Sequence, residues 1–178
     1  INVDNGVVVV ADDGACSLRE AILNANTNTQ VNASPGECLA GSGADTINLP
    51  VAGLFTLTSS FVNAYGSGTG LPVITSDITI EGNGSTITRD SAAPNFRIMA
   101  IGTNGDLTML DTTISGGWSE VDGGGIYLYD GELEIYSSTF DDNSTTGYES
   151  GGALYSNNGN VTVSNSTYTN NYAGDEGW

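Results

Sequence analysis

Histidine and lysine are both missing from this 178-residue chain, and three arginines, Arg19, Arg89 and Arg97, stand against 21 acidic residues. A formal net charge of −18 rules out the clustered cations by which proteins hold phosphate backbones or anionic membrane surfaces. With no histidine, and two cysteines that form no CxxC pair, a zinc site lacks ligands. No apolar run approaches the roughly 18 residues of a membrane-spanning helix. The acidity favours divalent cations or basic partners, and it also keeps a repetitive fold soluble.

What is present is glycine (25 residues) together with Asn, Ser and Thr, while charged residues are only 13% of the chain. Short polar side chains of this kind suit turns and stacked strands better than helix faces. The length and a 38% hydrophobic content suffice for one domain with a modest core. Cys16 and Cys38 lie 22 positions apart. They either close one loop as a disulfide, contributing about 3 kcal/mol by chain-entropy arithmetic, or remain two buried thiols. The chain opens on Ile1-Asn2-Val3 without a signal peptide, which reads as a mature or trimmed N-terminus.

Residues 1–10 are predicted to be a strand ending in the β-branched run Val7-Val8-Val9-Val10, broken by Asp12-Asp13-Gly14. Residues 17–24 form the one convincing helix. Ser17 is its cap, Glu20 the capping-box partner, and Leu18, Ala21 and Ile22 its apolar stripe. Residues 24–44 read as loop. From Asp45 onward, short alternating segments such as 46–49, 55–58, 78–80 and 86–88 read as strands with one buried face. The glycine-rich stretch 61–70 reads as a protruding loop. The chain thus divides into an N-terminal strand, helix and disulfide loop (1–44) and a run of coils (45–178) that continue it as one domain.

An internal repeat decides the architecture. Gly124-Gly125-Ile126-Tyr127 recurs as Gly152-Ala153-Leu154-Tyr155, a shift of 28. The same shift carries Leu133 and Ile135 onto Val161 and Val163, Ser138-Thr139-Phe140 onto Ser166-Thr167-Tyr168, and Asn143 onto Asn171. Leu107, Met109 and Ile114 precede them at a shift of 26, and Ile78, Ile80 and Ile87 stand one copy earlier. A period in the twenties with three short strands per copy means a solenoid. Asn143 and Asn171 would form a hydrogen-bonded ladder, and Phe140 would stack on Tyr168.

Cys16-Ser17-Leu18-Arg19-Glu20-Ala21-Ile22 resembles the CSLREA-type N-terminal region of secreted surface β-helix proteins. Gly43-Ala44-Asp45-Thr46-Ile47 and residues 78–84 resemble that family's run as well, and residues 140–143 and 151–154 resemble repeats of polymorphic outer-membrane proteins and adhesins. The resemblance implies an all-β fold, a right-handed single-stranded parallel β-helix with an N-terminal capping α-helix. It also implies export to the cell surface and a structural or adhesive role.

Each candidate site has a plain structural alternative. Arg19 is expected to bond Asp12, Asp13 or Asp45 and so fix the cap. Asp141-Asp142 suggests polysaccharide hydrolysis, but the similar polygalacturonase-like hydrolases carry a His and an Arg-x-Lys that are missing here. For lyase chemistry only Arg89 and Arg97 remain as bases. No catalytic residue is therefore assigned. Calcium is the one possible cofactor, through oxygens of Asp12, Asp13, Asp141 and Asp142, with Asp122, Asp130, Glu132, Asp175 and Glu176 as further donors. Tyr127, Tyr129, Tyr155 and Trp178 are candidate surface or assembly residues that could stack on sugars or on another subunit. Asn143, Asn160 and Asn165 begin glycosylation triplets. An uncapped last coil would need pairing, either by end-to-end stacking with residues 1–10 as donor strand or by more chain in a longer parent. The expected partners are thus further copies, or surface glycans and proteins.

Overall fold

Alternating apolar and polar residues can bury one face of a strand. In a solenoid each coil buries that face between its neighbours, so the same position must be apolar in every coil. The computed structural model, which describes residues 1–174, is built in this way. Helix α1 (Leu18–Thr27) comes first. Strands β1 (Asp45–Asn48) and β2 (Leu54–Leu57) and a hairpin of β3 (Val62–Ala64) and β4 (Ser67–Thr69) follow. Next are β5 (Asp77–Arg89), β6 (Met99–Ile101), β7 (Asp106–Ser115) and β8 (Trp118–Ser119). The repeat region holds β9 (Ile126–Tyr129), β10 (Glu132–Tyr136), β11 (Thr139–Asp141), β12 (Ser144–Thr145), β13 (Leu154–Asn157), β14 (Asn160–Ser164) and β15 (Thr167–Thr169).

These strands stack into parallel sheets, making a β-solenoid of about four turns. The largest sheet runs β1-β5-β7-β10-β14, with β2, β11 and β15 attached, and β6-β9-β13 and β8-β12 form the other two walls. Among the described residues only the β3–β4 hairpin pairs antiparallel. The registers follow the repeat: Leu133 pairs with Leu107 and Val161, and Phe140 pairs with Ile114 and Tyr168. Ile78 and Ile87 pair with Leu107 and Ile114 across a register shift at residues 81–85, so β5 is one bent strand instead of two.

Polar side chains stack on the same principle. Asn143 Nδ2 donates to Asn171 Oδ1 (3.0 Å) and to the Ile114 carbonyl (2.9 Å), while its Oδ1 accepts from Gly117 N–H (3.0 Å). Asn171 Nδ2 donates in turn to the Phe140 carbonyl (2.8 Å). The predicted amide ladder is therefore present, and Phe140 lies on Tyr168 with ring centroids 4.9 Å apart. A second ladder, of hydroxyls, runs beside it. Thr112 N–H donates to Ser138 Oγ and Ser138 N–H to Ser166 Oγ, while each hydroxyl donates back to the carbonyl two residues earlier. The corner preceding these residues is left-handed in every coil, at Asn83, Asp111, Ser137 and Asn165. Asn and Asp tolerate that conformation better than other side chains, which explains why the turns are so polar.

Two expectations for the N-terminal half are overturned. Residues 1–10 are not a strand. Asn2 bridges Asn48 and Val3 N–H donates to the Asn48 carbonyl, but the chain then turns at Asn5-Gly6, and Val9 is exposed. A run of valines favours a strand only where an edge is free to pair with it, and here the edge is used by residues 1–3 alone. Residues 61–70 are likewise no plain loop. They form the β3–β4 hairpin, and buried Thr69 bridges Arg97 in the solenoid wall.

Inward residues of the first coil, Ile47 and Phe55, are fully buried because α1 lays Leu18, Ala21 and Ile22 into the same core cluster. The residues of the same two columns in the last described coil, Val163 and Tyr168, are 45% and 42% exposed.

Removing a ladder amide should cost more at buried Asn143 than at the less buried Asn171. Asn143→Ala strands a buried N–H and is expected to lower unfolding stability by about 2–3 kcal/mol, and Asn171→Ala by well under half of that, in denaturant titrations. Like-on-like stacking penalises carboxylates. Asp77, Asp106 and Glu132 share one column, and burial, then Asp77, Glu132 and Glu134, raise the Asp106 pKa. A raised carboxyl pKa penalises the folded state above that value, so this contribution improves as pH falls through it toward the ordinary 3.8. Asp106→Asn is expected to raise the melting temperature at pH 7, with the gain vanishing below pH 4.

Candidate functional site

Three side-chain groups stand out: the helix cap, the arginine-clamped tyrosine ladder, and a polar groove on the flank.

In the cap, Ser17 Oγ accepts from Glu20 N–H (3.2 Å) and Glu20 Oε2 accepts from Ser17 N–H (2.9 Å), closing the predicted capping box. Glu20 Oε1 also takes Ala11 N–H and the Asn32 amide, so one carboxylate ties three segments together. Cys16 and Cys38 form a buried disulfide. Asn24 Nδ2 donates to the carbonyls of Cys38 and Leu39, fastening the disulfide loop to α1.

Arg19 belongs to this cap but not through Asp12, Asp13 or Asp45. Its Nε donates to the Gly70 carbonyl (3.0 Å), Nη2 to the Ser59 carbonyl (2.6 Å), and its guanidinium lies 5.5 Å from the Phe61 ring centroid. The three carboxylates have other duties. Asp12, Asp13 and Asp45 accept from the backbone N–H groups of Ser34, Ala15 and Ser42. Arg19 is almost fully buried, and carbonyls that β-pairing has left open meet its planar donors there. It therefore joins the helix to the β3–β4 hairpin.

Arg97 does the same for the opposite side of the hairpin, and nothing in the repeat announces it. The side chain is fully buried. It donates to the carbonyls of Ala64 (2.9 Å), Tyr65 (3.4 Å), Asp122 (3.1 Å) and Gly123 (3.3 Å) and to Ser119 Oγ (3.4 Å). Burial lowers its pKa to about 10. The available signal was an arginine inside the apolar stretch Phe96-Arg97-Ile98-Met99-Ala100-Ile101, where a charge must find partners or be excluded.

Above Arg97, at 4.8 Å, lies the Tyr127 ring, which changes the reading of the tyrosines. Tyr127 is buried, stacked on Tyr65 at 5.1 Å and against Tyr155 at 5.5 Å. It is an internal rung and not a surface residue, because the hairpin folds Tyr65 over it. Tyr129, at the edge of exposure, also stacks on Tyr65 (5.2 Å). Tyr155 is half-buried. Trp178, Asp175 and Glu176 lie outside the described residues.

The groove, about 350 Å³, is lined by Thr88, Arg89, Ser91, Ser115, Asp141 and Asp142 among others. Arg89 is held in place by Nε to the Gly116 carbonyl (2.8 Å) and Nη1 to the Asp90 and Ala93 carbonyls. Burial lowers its pKa, opposed by the charges of Asp142 and Asp90. Asp141 Oδ1 accepts from Thr169 Oγ1 and Asn170 Nδ2, both at 2.9 Å. Asp12 and Asp13 sit in the cap, hydrogen-bonded locally, so the four calcium candidates do not form one site. Among the described residues no group of three or more acidic or cysteine side chains converges as metal ligands would. Of the glycosylation triplets, Asn143 is sealed in the ladder, whereas Asn160 and Asn165 are exposed.

No protein-family model matches the chain, and neither does any curated protein or solved structure.

Arg97→Met leaves the Ala64 and Asp122 carbonyls buried without a donor. It is expected to cost about 3 kcal/mol of unfolding stability and to release the hairpin, with faster amide exchange across residues 61–70. Arg97→Lys should recover only part, since one ammonium cannot span the same fan of acceptors.

Proposed function

We propose that the chain is an extracellular scaffold module, a rigid acidic solenoid of the cell surface with a structural or adhesive role and no catalytic one. The observation that supports this reading most directly is the column-on-column stacking of the coils beneath a disulfide-pinned helix, which makes a rigid framework. The cap also suits an oxidising compartment, since Cys16 and Cys38 are joined in a disulfide there. The arginines are engaged in main-chain clamps, which suits a framework better than a reacting centre.

A second reading, polysaccharide binding or cleavage, draws on the groove around Arg89, Asp141 and Asp142. Guanidinium, carboxylate and hydroxyl groups there offer both donors and acceptors to a sugar chain. One experiment separates the two. The purified protein is incubated with acidic and neutral polysaccharides, with and without calcium, and products and binding are both followed. The scaffold reading expects no turnover on any of them. Turnover that disappears in Asp141→Asn or Asp142→Asn would overturn it, and calcium-dependent binding lost in the same variants would favour a carbohydrate-binding module.

A further inference from the structure

The β3–β4 hairpin interrupts the parallel columns, and insertions into repeat folds are a common place for a binding face. Beside it lies a second polar groove of about 410 Å³, a volume typical of small-ligand sites. Asn63 and Ser67 line it from the two hairpin strands, with Gly66 and Gly68 between and beyond them. Asn95 and Glu120, the latter just past β8, complete the lining.

Arg97 holds these walls together. Its side chain donates to the carbonyls of Ala64 and Tyr65, next to Asn63 and Gly66. It also donates to Ser119 Oγ and the Asp122 carbonyl, which stand on either side of Glu120. Its own N–H donates to the Gly68 carbonyl (3.0 Å), which brings the strand carrying Asn95 to the same groove. The hairpin tip rests on the far wall, where a Cβ at Gly66 would meet the Val121 methyls at 3.6 Å. A fully buried guanidinium thus sets the shape of the groove before any ligand arrives, which lowers the ordering cost of binding.

The polar groups of the lining are left over by the fold. The side chains of Asn63, Ser67, Asn95 and Glu120 form no hydrogen bond with any described residue. Asn83 is exposed as well, yet its amide bonds the Leu49 carbonyl, and the amides of Asn24, Asn26 and Asn143 are likewise engaged.

Their chemistry narrows the ligand. No cation lines the groove, and Glu120 belongs to a chain of net charge −18, so phosphate, sulfate and uronate groups are opposed. No aromatic or aliphatic side chain lines it either, so an apolar ligand gains little. Each carboxamide offers donors and an acceptor, Ser67 offers both, and the two oxygens of a carboxylate can accept from adjacent hydroxyls. Hydroxyls on neighbouring carbons match that set. The geometry points to a binding site for a neutral saccharide, with Glu120 accepting from two vicinal hydroxyls and Asn63 and Asn95 bonding those beside them. The groove shares no lining residue with the one around Arg89, Asp141 and Asp142, and the inference stands on neither reading of the function above.

Titration calorimetry of the full 178-residue chain tests it. The probes are neutral oligosaccharides of glucose, galactose, mannose and N-acetylglucosamine, with uronate oligomers and glucosamine oligomers as charged comparisons. The expected result is saturable binding of at least one neutral series in preference to both charged ones. Affinity should change less than about twofold between ionic strengths of roughly 0.05 M and 0.5 M, because no charge pairing is involved. Glu120→Gln should weaken binding about tenfold, and Asn63→Ala/Asn95→Ala more, with melting temperatures unchanged. Asp111→Asn, an equal change of charge at a corner of another wall, should leave affinity as it is. Where the double variant fails to fold, Glu120→Gln decides alone. Absence of binding to every neutral series, preference for uronate or glucosamine oligomers, or binding indifferent to Glu120→Gln would each overturn the inference. Effects of Asp141→Asn or Asp142→Asn report on the other groove and are read separately.

Discussion

Parallel strands stacked in register place each residue roughly one strand spacing, about 4.8 Å, from the residue at the same position in the next coil. Side chains that gain from a copy of themselves can occupy such a column indefinitely, and those that lose cannot. Ile80, Met109 and Ile135 interlock in the core, Asn143 bonds Asn171, Ser138 bonds Ser166, and Phe140 lies flat on Tyr168. The corners join this scheme through left-handed Asn, Asp and Ser residues, which turn the chain while keeping the flanking strands aligned. Carboxylates are the exception. In the Asp77–Asp106–Glu132 column like charges face one another, and burial, then these neighbours, raise the Asp106 pKa.

A column that improves with every copy has no natural end, so ends need separate solutions. At the N-terminal side the solution is a short amphipathic helix. Its capping box is local, but its position depends on the Cys16–Cys38 disulfide, on Asn24 bonded to the disulfide loop, and on Arg19 reaching the hairpin. In the last described coil Val161, Val163 and Tyr168 are partly exposed.

The arginines show how few cations a strongly acidic fold requires when they are spent on backbone. Their hydrogen bonds go to main-chain carbonyls, with Ser119 Oγ the one side-chain acceptor, and none ends on a carboxylate among the described residues. The β3–β4 hairpin lies outside the ladder scheme and leaves carbonyls without strand partners. A guanidinium can satisfy several of these at once, which an ion pair with a surface acid would not do.

The coil architecture, the amide ladder and the capping box were all legible in the sequence, because each depends on residues at a fixed spacing. A 28-residue repeat sets strand registers directly, and Ser17 and Glu20 are near neighbours along the chain. The tertiary structure decided what depends on segments that do not repeat. Tyr127 reads as outward-facing by alternation, yet the hairpin brings Tyr65 onto its ring and buried Arg97 packs against it. Arg19 looked destined for an aspartate, yet its partners are carbonyls at Ser59 and Gly70, some forty to fifty residues away. The valines at 7–10 looked like a strand, yet no edge remained for them. Periodicity carries the information for a column wherever coil follows coil, while an insertion or an end is shaped by whichever unpaired groups the columns leave behind.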